Sequence, residues 1–296
     1  GLEDAITLAQ HVNSDLPMGE ALKAYQDERE IEALRLQNAA QNAMIWFENT
    51  PRYLNAFDAK QFYYSLLTRS QRVSHENLRL RDKAWLEEME KHLAQKAQGV
   101  ECEEAIPPMF LPYKIGTMPI INRVVVSPMS MYSAVDGLPS DWHLVHYGSL
   151  AKGGAGLVFT EMTNISGDAR ITPGCAGIWN NEQEAAWLKI SQFVHAHTQA
   201  KFVMQLGHAG AKGATKVPWE WHPDRLDDPL DPADRWPLVS ASPLAYDHYS
   251  DTPMQLDRDG MNDIKDQFVA ATLRANRAEF DMLELHAAHG YLIASF

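Results

Sequence analysis

Two histidines and a tyrosine stand together in the run His286-Ala287-Ala288-His289-Gly290-Tyr291. Imidazoles three residues apart have three uses: to bind a metal, to donate two hydrogen bonds to one oxygen, or to sit as satisfied structural groups. A metal needs further ligands, and His208 is the histidine the sequence offers. The donor use pairs the histidines with Tyr291 as a proton source. Three more polar clusters precede this one: Ser127-Pro128-Met129-Ser130-Met131-Tyr132, Glu161-Met162, and Gln205 through His208. Each of the four follows a short apolar run, which places it just after a strand.

Those runs are Val124–Val126, Leu157–Phe159, Phe202–Met204 and Met282–Leu285. Helical patterns separate them over Asp141–Lys152, Asn181–Thr198 and Asp259–Glu279, and Asn181 followed by Glu184 resembles a capping box. Strand and helix alternating in this way predict an α/β fold with a parallel sheet under helices. In a (β/α)₈ barrel, clusters that follow strands face one mouth. The first strand is not followed by GxGxxG, which argues against a dinucleotide-binding open sheet. The third unit carries an insertion, roughly 208–256, rich in Trp, Pro and Asp. The expected fold class is therefore the first half of a TIM (β/α)₈ barrel, strands one to four, preceded by an all-helical segment.

That preceding segment spans residues 1–98, with helical patterns over Gly1–Val12, Gly19–Glu48 (interrupted around Arg29), Asp58–Arg69 and from Asp82 onward. Pro51 ends or bends the second of these. Residues 99–108 break the pattern with Gly, Glu and Pro-Pro and read as a linker, leaving 109–296 as the barrel half. A net charge of −13 repels phosphate backbones and argues against nucleic acid as a partner. No apolar stretch approaches the ~20 residues of a membrane span. Cys102 and Cys175 lack CxxC spacing and read as free thiols, so a cytoplasmic location is expected. The chain starts without Met and stops just after a strand, so it reads as an internal fragment of a longer protein.

The runs 127–132, Gly156-Leu157-Val158-Phe159-Thr160-Glu161, Gln205-Leu206-Gly207-His208-Ala209-Gly210 and 286–291, in that order, resemble the Old Yellow Enzyme family over about 110–296. The resemblance implies an FMN cofactor, NAD(P)H as co-substrate, and hydride transfer to an activated alkene. It implies that Ser127, Pro128, Met129 and Ser130 lie against the isoalloxazine ring, with Met162 at the ring edge and Gln205 on the pyrimidine part. His286 and His289 are expected to grip a substrate oxygen, with Ala287 and Ala288 beside it. Tyr291 is expected to be the proton donor and Tyr132 to line the substrate pocket. No metal ligands are assigned. Two departures stand out: Ser130 replaces the common Cys or Thr, and Ala211-Lys212 replaces Arg-Lys after His-Ala-Gly.

Gly1–Ala9 resembles the last flavin-contacting helix of the aromatic-ring FAD monooxygenases, and Ala24-Tyr25-Gln26-Asp27-Glu28-Arg29 resembles a helix of the same family. Together with Trp46–Asn49 and His75–Asp82, the segment is similar to a fusion subgroup that includes salicylyl-CoA 5-hydroxylase and 2-aminobenzoyl-CoA monooxygenase/reductase. That resemblance implies a parent protein binding FAD as well as FMN and acting on an aromatic acyl-CoA. Two competing expectations remain open. One is a metal-dependent barrel hydrolase using His208, His286 and His289; the other is a catalytically inert fragment, since four strands cannot close an eight-stranded barrel.

Overall fold

Apolar steps of three and four fold the first part of the chain into six helices, α1 (Leu2–Val12), α2 (Met18–Glu48), α3 (Thr50–Ala56), α4 (Ala59–Thr68), α5 (His75–Arg81) and α6 (Lys83–Gln98). The computed structural model describes residues 1–296 and divides into two compact units, Gly1–Pro107 and Pro108–Phe296. α2 runs without the break expected near Arg29. That side chain instead reaches α1, donating from Nε to Asp4 at 2.8 Å and from Nη2 to Glu3 at 3.2 Å. Pro51 lies in the first turn of α3, where its missing N–H leaves no bond unmade. Asp82 caps α6 by accepting the Trp85 N–H at 3.0 Å. No helix of the chain is long and apolar enough to cross a membrane.

The second unit opens with a hairpin of β1 (Tyr113–Ile115) and β2 (Met118–Ile120). Its two-residue turn needs a positive φ, which Gly116 supplies at +59°. Then come β3 (Val125–Val126), α7 (Asp141–Lys152), β4 (Leu157–Asn164), α8 (Asn181–His197) and β5 (Lys201–Gly207). The long insertion forms two short 3-10 turns (Gly210–Lys212 and Pro218–Glu220) and a two-strand pair, β6 (Val239–Ser240) with β7 (Met254–Gln255), before α9 (Arg258–Arg277) and β8 (Met282–Leu285). Strands β3, β4, β5 and β8 make one parallel sheet in sequence order. The helices cover one face of it: Tyr147 of α7 and Trp187 of α8 pack against Phe202 of β5, each at most 1% exposed. Burying each such side chain contributes about 2–3 kcal/mol. Ala271 and Ala275 let α9 approach the same core closely.

Two strands are longer than their apolar runs. β4 continues through Glu161 and Met162 to Asn164, and β5 through Gln205 to Gly207. Those candidate residues therefore lie within strands and not in the loops after them. The polar residues Thr160, Glu161, Thr163 and Asn164 are all buried, so they read as loop in sequence while pairing as strand. Between Phe159 and Met162 the register on β5 shifts by a bulge, a device that re-aims side chains beside functional sites. α8 starts at Asn181 as expected, but its capping residue differs. Asn180, not Asn181, is its cap and takes the Gln183 N–H at 2.9 Å, while Glu184 pairs with Arg277 at 2.7 Å.

Candidate active site

The C-terminal ends of the parallel strands surround a cavity of about 600 Å³. Ser127, Pro128 and Ser130, just beyond β3, form one wall. Met162 of β4 and Gln205 of β5 line its middle, and Glu284 and Leu285 of β8 lead into His286–His289 and Tyr291. Gly207 lets β5 approach the Met162 side chain, since a Cβ there would come within 2.5 Å of Met162 Sδ. Ten of the twelve residues singled out in sequence for cofactor or substrate line this one space. The other two do not. The Met129 side chain is 53% exposed, and Tyr132 sits behind Tyr291 in an apolar cluster with Met162, Ile171, Cys175 and Ala209.

Gln205 is 7% exposed and donates from Nε2 to Glu284 Oε2 at 3.2 Å. An amide carries two donors and a two-lone-pair acceptor, so most of its capacity is left for a bound group. Such an amide in a walled slot fits the polar edge of a flat heteroaromatic ring, as the isoalloxazine of FMN presents. No Lys or Arg side chain lines the cavity, so the fit is to the ring and not to a phosphate.

At the opposite wall, His289 Nδ1 and His286 Nε2 are 3.2 Å apart, and His286 Nδ1 accepts the Ala288 N–H at 3.3 Å. With Nδ1 accepting, a neutral His286 carries its proton on Nε2 and donates it to His289. The pair is thus closed on itself, leaving His289 Nε2–H as the free donor. Burial, then the neighbouring imidazole of His289, lowers the pKa of His286 and favours its neutral form. His289 holds a left-handed φ of +56°, a conformation that a non-glycine residue keeps only when its surroundings impose it. The Tyr291 ring stands edge-on to His286 at 4.9 Å between centroids. Burial raises its phenol well above the usual value, so Tyr291 stays protonated and can act as an acid. Burial also pushes Tyr132 up to about 12.

Two contributors escaped the sequence reading. Lys212 Nζ donates to the His289 carbonyl at 3.2 Å and lies 5.2 Å from the Tyr291 ring centroid and 4.6 Å from that of Tyr246. Tyr246 comes from the 208–256 insertion, which therefore reaches the tyrosine end of the site. Glu284, which accepts from the Gln205 amide, is the second. His208, by contrast, does not join the other histidines. It is 2% exposed, its Nδ1 accepts the Gly210 N–H at 3.0 Å, and its Nε2 has no partner. No three His, Cys, Asp or Glu side chains are placed to hold a metal ion together.

Comparison with known proteins identifies the family of the second unit. Residues 108–296 match the NADH:flavin oxidoreductase / NADH oxidase family. An NADPH dehydrogenase of Listeria monocytogenes is 38% identical over 190 residues, covering 64% of this chain and 50% of that protein. An NADH:flavin oxidoreductase of Gibberella zeae is 36% identical over 194 residues, covering 64% and 45%. Among solved structures, morphinone reductase in complex with tetrahydroNAD superposes with a TM-score of 0.53 at 30% identity, over 63% of this chain and 51% of that one. Old Yellow Enzyme from Pichia sp. gives 0.54 at 27%, over 62% and 47%. The chain thus spans about half the length of the curated relatives it matches, and its α/β unit corresponds to part of their barrel.

Proposed function

The chain belongs to the NADH:flavin oxidoreductase / NADH oxidase family, and from that premise we propose that its barrel half holds the FMN ring and a conjugated substrate in one cavity. The observation that carries this reading is the single space bounded by Ser127, Pro128, Ser130, Gln205, His286–His289 and Tyr291. When bound, FMN supplies a carrier that takes hydride from NAD(P)H and gives it to the substrate. Gln205 and the backbone at Met162 hold the ring edge, and Ser127, Pro128 and Ser130 close over it. His289 Nε2–H meets the substrate carbonyl oxygen, and His286 joins when its Nε2–H turns from His289 to the same oxygen. Both donors then face the negative charge that develops there. Tyr291 Oη delivers a proton to the carbon next to the carbonyl. Lys212, held between two tyrosine rings, fixes the carbonyl of His289 and so the pose of that histidine.

We further propose that residues 1–98 are the C-terminal helical part of an FAD monooxygenase-like domain. In this reading the longer protein hydroxylates an aromatic acyl-CoA and the barrel reduces the product. Support comes from the sequence resemblance of Gly1–Ala9, Ala24–Arg29 and His75–Asp82 to that family. An oxygenated, partly dearomatised ring is an activated alkene, which gives the fused order a chemical sense.

Flavin released by denaturing the full-length protein tests both parts. One FMN and one FAD per chain are expected; FMN alone would remove the monooxygenase reading, and no FMN would remove the barrel reading. The 296-residue chain alone should lose FMN on gel filtration, because its cavity has no cation for the phosphate. Stoichiometric retention by this chain would contradict that division of labour.

A further inference from the structure

The bulge in β4 separates two neighbours: Met162 lines the cavity, while Glu161 packs against α7. Glu161 is 1% exposed. Its Oε2 accepts the Met131 N–H at 3.1 Å, and its Oε1 lies 3.1 Å from His143 Nε2. The other ring nitrogen settles who donates. His143 Nδ1 accepts the Ser140 N–H at 3.0 Å, so a neutral ring carries its proton on Nε2 and donates it to Glu161. Both carboxylate oxygens then accept and neither donates, which is the pattern of an anion. No Lys or Arg lies within ion-pair distance of it, and its only ionisable partner is this neutral histidine. The Tyr147 hydroxyl is occupied with the Glu161 backbone, accepting its N–H at 2.8 Å. A buried negative charge without a counter-ion is costly to keep.

Its place gives it a use. Met131 directly follows Ser130, which lines the cavity, and precedes Tyr132, whose φ of +50° needs outside support. The Glu161 bond to Met131 N–H ties this loop to β4. A fixed anion in a low-dielectric interior also raises the energy of any nearby group that gains electrons.

We propose that Glu161 is a positioning residue that anchors the Ser130–Tyr132 loop through Met131 N–H and whose uncompensated charge biases bound flavin against reduction. Resting on the FMN reading above, it assigns this chain a built-in setting for how readily reduced flavin gives up its electrons.

The test compares dissociation constants of oxidised and reduced FMN in the full-length protein, from titration and from the midpoint potential. If the wild type binds no FMN, the FMN reading itself has failed, which separates that outcome from those below. Glu161→Gln keeps an oxygen for Met131 N–H and removes the charge. It should shift the ratio of the two constants about tenfold toward the reduced form, about 30 mV in a two-electron potential. Equal weakening of both forms, or no change, would overturn the proposal, because a purely structural role moves both alike. Glu161→Asp keeps the charge but shortens the reach. It should leave the ratio within about twofold of wild type, while amide exchange at Met131 speeds up. A tenfold change of ratio in Glu161→Asp would overturn the proposal even if Glu161→Gln failed to fold.

Discussion

Two glutamates are fully buried, one in each unit, and they are kept in opposite ways. Glu90 of the helical unit is 0% exposed and receives His75 Nε2 at 2.7 Å and the Arg79 guanidinium. Burial alone pushes its carboxyl up, but those two partners pull it below the ordinary value. Glu161 of the barrel unit has the same burial and no cation. The helical unit therefore uses its buried charge as a neutralised joint between α5 and α6. In the barrel unit the charge stands uncompensated behind a loop of the cavity. Elsewhere the first unit carries surface pairs such as Lys23–Asp27, which solvent screens so that they contribute little. A buried charge with its counter-ion reports on folding, and one without reports on chemistry.

The largest expected effect lies in the cavity of the barrel unit, at Tyr291. Tyr291→Phe in the full-length protein should slow alkene reduction on the order of 10²–10⁴-fold while leaving flavin reduction by NAD(P)H unchanged. Rapid mixing of each half-reaction separates the two, and equal slowing of both would remove Tyr291 as the proton donor. In the helical unit Tyr64 bonds His75 Nδ1 at 2.9 Å, continuing the Glu90 network. Glu90→Ala should cost about 3 kcal/mol by urea unfolding, with the flavin potential unmoved. A shift in potential would blur the distinction between the two glutamates.

The barrel unit also carries its own pH signature, at higher pH than that of the Glu90 joint, whose lowered carboxyl loses stability only as pH falls below the ordinary carboxylate range. Burial holds His208 neutral, with its pKa down to about 4 against an ordinary 6.5. Below about pH 6.5 the unfolded chain takes the proton first. Stability present above that pH is lost progressively down to about pH 4, amounting to about 3 kcal/mol. His208→Gln should flatten that window in a series of urea midpoints; a wild-type slope would assign the acid loss to other groups. The smallest effect is local: Asn180→Ala should cost about 1 kcal/mol through the α8 cap, without touching flavin binding.

The strand order and the helix positions were legible because apolar runs and apolar helix faces are local signals. Most of the cavity lining was legible for a different reason, since Ser127, Gln205, His286 and Tyr291 sit in compact motifs. What escaped were partners joined only by the fold. His143 and Glu161 are distant in sequence, and Glu161 reads as a loop residue because a buried polar strand end has no apolar pattern. Lys212 and Tyr246 meet only because the 208–256 insertion folds back, and nothing in its Trp- and Pro-rich composition specifies that. The expected loop position of Gln205 failed for the same reason as that of Glu161.

The central claim is that one cavity brings flavin, substrate oxygen and Tyr291 together. Its most direct test is anaerobic mixing of the full-length protein, reduced with NADPH, with a conjugated enone in deuterated water. The oxidised flavin spectrum is expected to return, with solvent deuterium on the carbon next to the carbonyl, and that labelling step is expected to be lost in Tyr291→Phe. Flavin that stays reduced in the presence of the enone would contradict it.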